Sequence, residues 1–599
     1  MGAPDLRPCV VTAVLRRPIF MRPELHHWVL KSGSRWIQFR RPREWREAHV
    51  LSDIPRLLED VERWAREGDW AVGALAYEAA PAFDPAFRTH PPASGVPLAM
   101  FGRYAGPEDW ETSPAEDPEA LAFAPGEWSP GVDRRAYDGA MEEIRARISR
   151  GEIYQANLTF PLRARAVSGG WPLFCAMEAA HRAVFAAYVR TGAGEMCSLS
   201  PELFFELCGD AIRSVPMKGT RRRGRWMEED AALADELEKS AKDRAENVMI
   251  TDMVRNDLGR ICEPGSIVVP RLCETERHAW VWQMISTVAG RTRAGFQDIL
   301  GALFPAASIT GAPKVRAMRT IAEMESGPRG FYTGAIGWWA PGRRARFSVA
   351  IRSAWVSASG DRATYGVGGG IVWDSRSDDE YAEACAKGPR SGRAIPFELL
   401  ETMRWNPAGG YEQWPRHAAR LAESARYFGF EMDLSVVETE LARAASSFPE
   451  SPRRVRLLVN ARGIARVEDG PMPALDHPRR LALSRESVDS KDLFLYHKTT
   501  RREVYERHRA AHPLADDVLL WNERGEVTET CMANVVVEME GERWTPPRSC
   551  GLLAGTARAH LLESGYCRER VISVEEAIRA GRWWTVNAVR GLVSARLMA

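Results

Sequence analysis

Residues 241–260 read AKDRAENVMITDMVRNDLGR, and residues 378–388 read DDEYAEACAKG. Each segment holds two carboxylates three positions apart: Asp243 and Glu246 in the first, Glu380 and Glu383 in the second. On a helix, positions i and i+3 share a face, so each segment presents one acidic pair. Four facing carboxylates repel one another unless a cation lies among them. Hard oxygen ligands suit Mg²⁺, which takes one or two carboxylates directly and keeps some of its waters. Spacing alone leaves the ordinary alternative open, because acidic i,i+3 pairs are common on solvated helix faces.

Around these segments the first half alternates helical and strand-like patterns without a strict βαβ rhythm. One helix is well marked. Asp133 is a capping residue, Tyr137, Met141, Ile144 and Ile148 recur at helical spacing, and Gly151 can end the helix. EIYQANLTF (152–160), SLSPELFFEL, ARFSVAIRSAWV and ATYGVGGGIVW read as strands. Many strands with a few long helices predict an α+β sandwich rather than a doubly wound sheet. Pro107 to Pro130 is polar and Pro-rich and reads as a loop joining two layers. The clearest joint in the chain is GPRSGRAI (388–395), which places a domain boundary near residue 392: 1–391 before it, 392–599 after it.

The first half carries YEAAPAFD, GEIYQANLT, SPELFF, PMKGTRRR, the acidic segment quoted above, SITGAPKVRAM, GAIGWW, FSVAIRSA and GGGIVWDS in that order. This series resembles the chorismate-utilising enzymes, over roughly residues 70–390. The family includes anthranilate, aminodeoxychorismate and isochorismate synthases. The resemblance implies the family's large α/β sandwich. It also implies that chorismate lies on a Mg²⁺ held by Asp243, Glu246, Glu380 and Glu383. The substrate's other carboxylate would meet Arg352, Lys387 and the backbone around Gly369 and Gly370. A guanidinium binds a carboxylate through two hydrogen bonds, and glycine lets backbone approach an anion. GVGGGI on its own is a tight strand bend and no dinucleotide motif.

Two positions separate the relatives. Lys218, in PMKGT, stands where anthranilate synthases have a small residue and aminodeoxychorismate synthases a lysine. There the resemblance implies attack on ring carbon 2 as the 4-hydroxyl leaves, followed by addition of ammonia at carbon 4. The amine must be neutral to act, so its site must lower its pKa. Gln155, in GEIYQANLT, stands where isochorismate synthases place a lysine that activates water. Glutamine is no general base at neutral pH, which favours ammonia as the nucleophile. The sequence also departs from the family. Gln283 replaces a histidine associated with departure of the hydroxyl, Trp338 a tyrosine and Ala307 a glycine. The neighbouring His278 does not inherit that role.

The second half reads FELLETMRWNPAGGYEQWPRHAARLAESARYFGF (397–430), then YHKTTRREVY, NERGEVTETCMANVVV, GLLAGTARAHLL and TVNAVRGLVSARL. It resembles the fold-type IV, branched-chain-aminotransferase-like pyridoxal-phosphate enzymes, and within them aminodeoxychorismate lyase. The resemblance gives Lys498 the covalent link to the cofactor aldehyde and the later proton transfers. It pairs Glu529 with the pyridine nitrogen. It assigns the phosphate to Arg420 and to the backbone at Thr556 and Ala557, where GTARAHLL opens a helix, with Asn587 and Ala588 completing the cup. Asn522 to Gly525 reads as a hairpin turn. This half is shorter than a free-standing lyase, so some strand structure is expected to be absent or supplied by the linker.

Together the halves imply synthesis of 4-aminobenzoate for folate. Chorismate is aminated to 4-amino-4-deoxychorismate, and pyruvate is then eliminated. Two rival readings are an anthranilate-type synthase fused to a pyridoxal-phosphate aminotransferase and the same chemistry in antibiotic synthesis. A non-catalytic scaffold would be expected to have lost Lys218, Lys498 or the metal acids.

Composition fits such an enzyme. The 599 residues exceed one core and suggest three or four structural units. With 81 Lys+Arg against 80 Asp+Glu, the chain has no electrostatic footprint for nucleic acid or an anionic membrane. The Arg221–Arg223 run reads as a solvated loop. No apolar run approaches the ~20 residues of a membrane helix, and MGAPDLRPCV lacks the core of a signal peptide. The ten cysteines form no CxxC or His/Cys cluster and read as reduced cytosolic thiols, so the expected compartment is the cytoplasm. No segment reads as a glutaminase, so ammonia is expected from a separate glutamine amidotransferase subunit. By analogy with fold-type IV relatives, a homodimer is expected.

Overall fold

Asp133 accepts hydrogen bonds from the backbone of Arg135 (2.9 Å) and Ala136 and caps the helix Arg134–Ser149. Its buried stripe is Tyr137, Ala140, Met141 and Ile144, and Gly151 follows its end at φ 71°. The helix forms as its periodicity predicts, because the cap and the apolar stripe specify the same start and face. The structure is a computed structural model that describes residues 22–598 apart from 34, 111, 118–126, 166–168, 390–396 and 474–477.

The chain falls into two units. One comprises residues to Arg221 together with Leu237–Ala394, the other Arg222–Glu236 together with Ile395–Ala599. The boundary expected at residue 392, and GPRSGRAI beyond Pro389, lie outside the described residues.

The first unit is built on two ten-stranded sheets. In one, Gln155–Ala164 lies between Gly311–Ala312 and Ala363–Ile371. In the other, Val281–Arg291 lies between Met217–Arg222 and Ala211–Val215. Trp28, Phe39, Val189 and Met196 of the first sheet and Val72, Met100, Tyr104 and Ile336 of the second form one buried cluster, the seam between the sheets. The outer face of the first sheet is covered by the Arg134–Ser149 and Gly170–His181 helices. Ile54–Arg66, Ala241–Gly259 and Phe296–Leu303 cover the outer face of the second. The result is the expected α/β sandwich.

The polar stretch from Pro107 is more than a joining loop. Glu108–Trp110 pairs with Arg35–Phe39 as an edge strand, and Asp117 accepts a hydrogen bond from the Trp171 indole at 3.0 Å. Nor is the Arg221–Arg223 run a solvated loop. Arg221 and Arg222 end a strand, and Arg223 is buried in a two-bonded ion pair with Asp230. A guanidinium fork finding a buried carboxylate outweighs the solvation that a charge run suggests.

The second unit has a four-stranded sheet around Leu399–Asn406 and Arg453–Val459, packed by the Trp414–Phe428 and Leu434–Ala445 helices. Its eight-stranded sheet includes Asp517–Trp521, Val527–Thr530, Asn534–Met539 and Arg582–Asn587. The Asn522–Gly525 turn forms as expected, with Gly525 at φ 74° and the Asn522 side chain accepting from Arg524 and Glu526 backbone.

Candidate functional site

In the first unit, the glycines of Ala363–Ile371 create the space in which Lys218 lies. Gly369 and Gly370 pair with Leu158 and Asn157 of the neighbouring strand. A Cβ on Gly370 would sit 2.5 Å from Lys218 Nζ and 2.6 Å from Gln155 Nε2. One on Gly369 would sit 3.1 Å from Glu380 Oε2 and 3.8 Å from Lys387 Nζ. Gly370 thus leaves room for Lys218 and Gln155, and Gly369 for Glu380 and Lys387, both of which act electrostatically on Lys218.

Burial lowers the Lys218 pKa, and nearby Lys387 lowers it further, against the pull of Glu246, Glu202 and Glu380. Its backbone carbonyl accepts from Asn247 Nδ2, which also donates to Met284 O at 3.0 Å. Asn247 lies one residue after Glu246, so the acidic helix and the Lys218 strand are fixed together. Gln155 is fully buried, and neither its amide nitrogen nor its oxygen has a protein partner. A buried primary amide left so is poised for a ligand that both donates and accepts.

Arg352 adopts φ 54°, which costs a non-glycine residue roughly 1–2 kcal/mol. Its Nη1 donates to Lys387 O at 3.1 Å, and Lys387 Nζ donates to Gly368 O at 3.0 Å. The two cations thus share one corner of the glycine strand.

The four acids are spread among counter-charges. Asp243 pairs with Arg221 at 3.0 Å, Glu383 pairs with Lys387 at 2.8 Å, and Glu380 accepts from Ser375 Oγ at 2.6 Å. Burial raises the Glu246 pKa, and Asp243 and Glu380 add to this, whereas Lys218 and Lys242 oppose it. Among the described residues no three acidic, histidine or cysteine side chains converge as a metal centre. Mutual repulsion at Glu246 and an all-carboxylate donor set still fit a hard divalent cation.

In the second unit, Lys498 is half-buried. Burial, Arg420 and Arg502 hold its pKa down at about 8. Burial pushes Glu529 up to about 7. Its carboxylate accepts from Tyr505 Oη (2.8 Å), Asn534 Nδ2 (3.1 Å) and the Leu553 backbone (3.2 Å). Arg420 donates to both oxygens of buried Glu401, at 2.9 and 2.5 Å, and to Ala554 O at 3.1 Å. Glu401 also meets His417 Nδ1 at 2.7 Å, and His417 Nε2 lies 3.3 Å from Thr556 Oγ1. Thr556 opens the helix Thr556–Glu563, whose N-terminus has no side-chain cap. Its amides at Thr556 and Ala557 thus face anion-binding work beside Arg420. Asn587 closes its own turn, accepting from Val589 and Arg590 backbone, and donates to Met532 O at 3.3 Å; Ala588 lies within that turn. A low-pKa lysine, a fixed carboxylate and an arginine beside an uncapped helix start fit pyridoxal phosphate.

A chorismate binding enzyme family model matches residues 26–389, more than half of the chain. The chain belongs to the chorismate binding enzyme family. An amino-transferase class IV model matches residues 398–598. Among relatives, "aminodeoxychorismate synthase" of Streptomyces pristinaespiralis is 42% identical over 254 residues, covering 42% of this chain and 35% of that protein. "Aminodeoxychorismate synthase component 1" of Klebsiella aerogenes is 40% identical over 262 residues, covering 43% of this chain and 58% of that one. The chain thus spans about a third to three-fifths of these relatives' length. Anthranilate synthase component I of Streptococcus pneumoniae shares the fold at TM-score 0.52 and 23% identity, over 63% of this chain and 94% of that one.

Within this chorismate binding enzyme, Gln283 is buried and accepts from Thr220 Oγ1 at 3.0 Å, two residues from Lys218. His278 lies against Glu276 instead. The sequence reading missed Glu202. It is buried, its carboxyl is pushed up to about 7 by burial, and it is coupled electrostatically to Lys218. Its only signal was a charged residue inside an apolar strand pattern, SPELFF. Tyr505, Asn534, Glu401 and His417 were missed likewise, because their partners lie far away in sequence.

Proposed function

We propose that the chain makes 4-aminobenzoate from chorismate and ammonia, with residues 1–391 aminating chorismate and 392–599 releasing pyruvate. The observation that carries this reading is half-buried Lys218, its pKa depressed, lying over Gly370 beside the unpartnered amide of Gln155.

In the first half, Arg352 and Lys387 take a substrate carboxylate, and Glu246 and Glu380 would hold a Mg²⁺ that screens the other. Neutral Lys218 forms a bond to ring carbon 2. Both ring double bonds shift by one position, the carbon 4–oxygen bond breaks, and Glu202 gives its proton so that water leaves. Ammonia then bonds to carbon 4, and Lys218 leaves with the returning electron pair. Gln155 orients the ammonia through its oxygen and takes no proton. The absent histidine at Gln283 is thereby replaced as proton donor by Glu202.

In the second half, pyridoxal phosphate would supply an electron sink beside Lys498. Arg420, Thr556 and Ala557 would hold its phosphate, and Glu529, fixed by Tyr505 and Asn534, would hold its ring nitrogen. Lys498 carries the proton between substrate carbons as pyruvate departs. Such chemistry belongs with a separate glutaminase as ammonia source, a cytoplasmic setting and folate supply.

The test is product identity after incubation with chorismate, ammonium, Mg²⁺ and pyridoxal phosphate. 4-Aminobenzoate with equal pyruvate supports the proposal. 2-Aminobenzoate overturns it in favour of an anthranilate-type synthase.

A further inference from the structure

Residues 222–236 lie in the first half of the sequence and inside the chorismate binding match, yet they belong to the unit that holds Lys498. The segment is anchored at several points. Arg223 binds Asp230 through Nε and Nη2, both at 2.7 Å, with each side chain 4% exposed. The Arg223 guanidinium stacks 4.6 Å over the Tyr427 ring, and Tyr427 Oη donates to Gly224 O at 2.6 Å. Arg225, held by Glu229, donates to Tyr496 Oη at 3.1 Å and Ser490 O at 3.3 Å. Trp226 packs on Tyr496 with ring centroids 5.1 Å apart.

His497 extends this contact to the residue before Lys498. Its Nε2 lies 3.1 Å from Arg225 O, and its Nδ1 3.0 Å from Ser424 Oγ. A carbonyl can only accept, so Nε2 carries the proton and Nδ1 accepts from the serine. One ring thus ties the Arg225 backbone to the Trp414–Phe428 helix that also carries Arg420. On the other side of His497, Lys498 O accepts from Leu400 N at 2.9 Å. Loop 490–498 is fixed at Ser490, Tyr496 and His497 by a segment more than 250 positions upstream.

We propose that residues 222–236 are the positioning clamp of the lysine loop, with Arg225 and His497 as the positioning residues that aim Lys498. This rests on Lys498 being the cofactor lysine. It predicts that the lyase half depends on a stretch of chain that its own sequence boundaries exclude. Arg225 acts through Ser490, Tyr496 and His497.

The experiment uses the full chain as Arg225→Ala, Arg225→Lys, Tyr427→Phe and Lys498→Ala, reconstituted with pyridoxal phosphate. The readouts are the visible absorbance of the lysine-bound cofactor, its pH titration, the rate of cofactor release and amide exchange across 490–498. Arg225→Ala is expected to release cofactor about tenfold faster, the cost of one charge-assisted hydrogen bond, and to shift the titration. Exchange across 490–498 should rise, and amination of chorismate should be unchanged. Arg225→Lys should recover part of the effect. Tyr427→Phe, which removes one hydroxyl, should show a smaller change in the same direction and stands in if Arg225→Ala does not fold. Wild-type absorbance, titration, release and exchange in Arg225→Ala and Tyr427→Phe overturn the clamp. Survival of the cofactor band in Lys498→Ala instead overturns the lysine assignment beneath it.

Discussion

Lys218 Nζ lies so close over Gly370 that a single methyl group on that glycine would come within 2.5 Å of the amine and 2.6 Å of Gln155 Nε2. Gly370→Ala must therefore displace the Lys218 amine or twist the strand. Misplacement of about 1 Å costs roughly 100-fold in rate. Amination of chorismate is expected to fall by about that factor, with pyruvate release from supplied 4-amino-4-deoxychorismate unchanged. Steady-state rates of the two half-reactions check this. Lys218→Ala should abolish the first and spare the second.

Glu202 is proposed to give a proton, so it must be protonated to act. With its carboxyl at about 7, the protonated fraction falls as pH rises through that value. kcat/KM for chorismate is expected to fall on the alkaline side with an apparent pKa near 7. Glu202→Gln should lose about 100-fold or more, the usual worth of a positioned acid, and its remaining rate should lack that limb. A pH–rate profile of both proteins checks the assignment.

Glu401 ties the proposed phosphate site together, holding Arg420 and His417 while fully buried. Burial opposes ionisation, but Arg420 and His417 hold the carboxyl down at about 2. A depressed carboxyl stabilises the fold above its unfolded pKa of about 4.5 and loses that contribution as pH falls toward 2. Glu401→Gln is expected to flatten the acid side of the stability–pH curve in that window. It should cost about 3–5 kcal/mol at neutral pH, because Arg420 loses its buried partner. Denaturant melts across pH check the first effect and cofactor dialysis the weakened phosphate grip.

Much of this was legible in the chain. Local signals were decisive where local physics rules. The Asp133 cap gave its helix, Asn522–Gly525 its turn, and GTARAHLL a helix start. Gln155 and Gly370 sit on neighbouring strands of one sheet, whereas Lys218 comes from a strand of the other, so their meeting followed from the resemblance and not from any local pattern. Arg223 was misread, since a run of three arginines looks solvated until Asp230 and Tyr427 are seen around it. Glu202 left only a charge inside an apolar strand pattern, and Asn534 and Tyr505 gave no signal, because burial of a polar group becomes visible only when distant strands pair. Glu108–Trp110 was hidden for the same reason: an edge strand is defined by its neighbour more than by its composition.

The most direct measurement uses full-length Lys498→Ala with chorismate, ammonium and Mg²⁺, followed by product separation. With the lyase half silent, the account predicts accumulation of 4-amino-4-deoxychorismate and no pyruvate. Formation of 2-aminobenzoate with pyruvate would contradict it, since the first half would then complete an anthranilate-type reaction unaided.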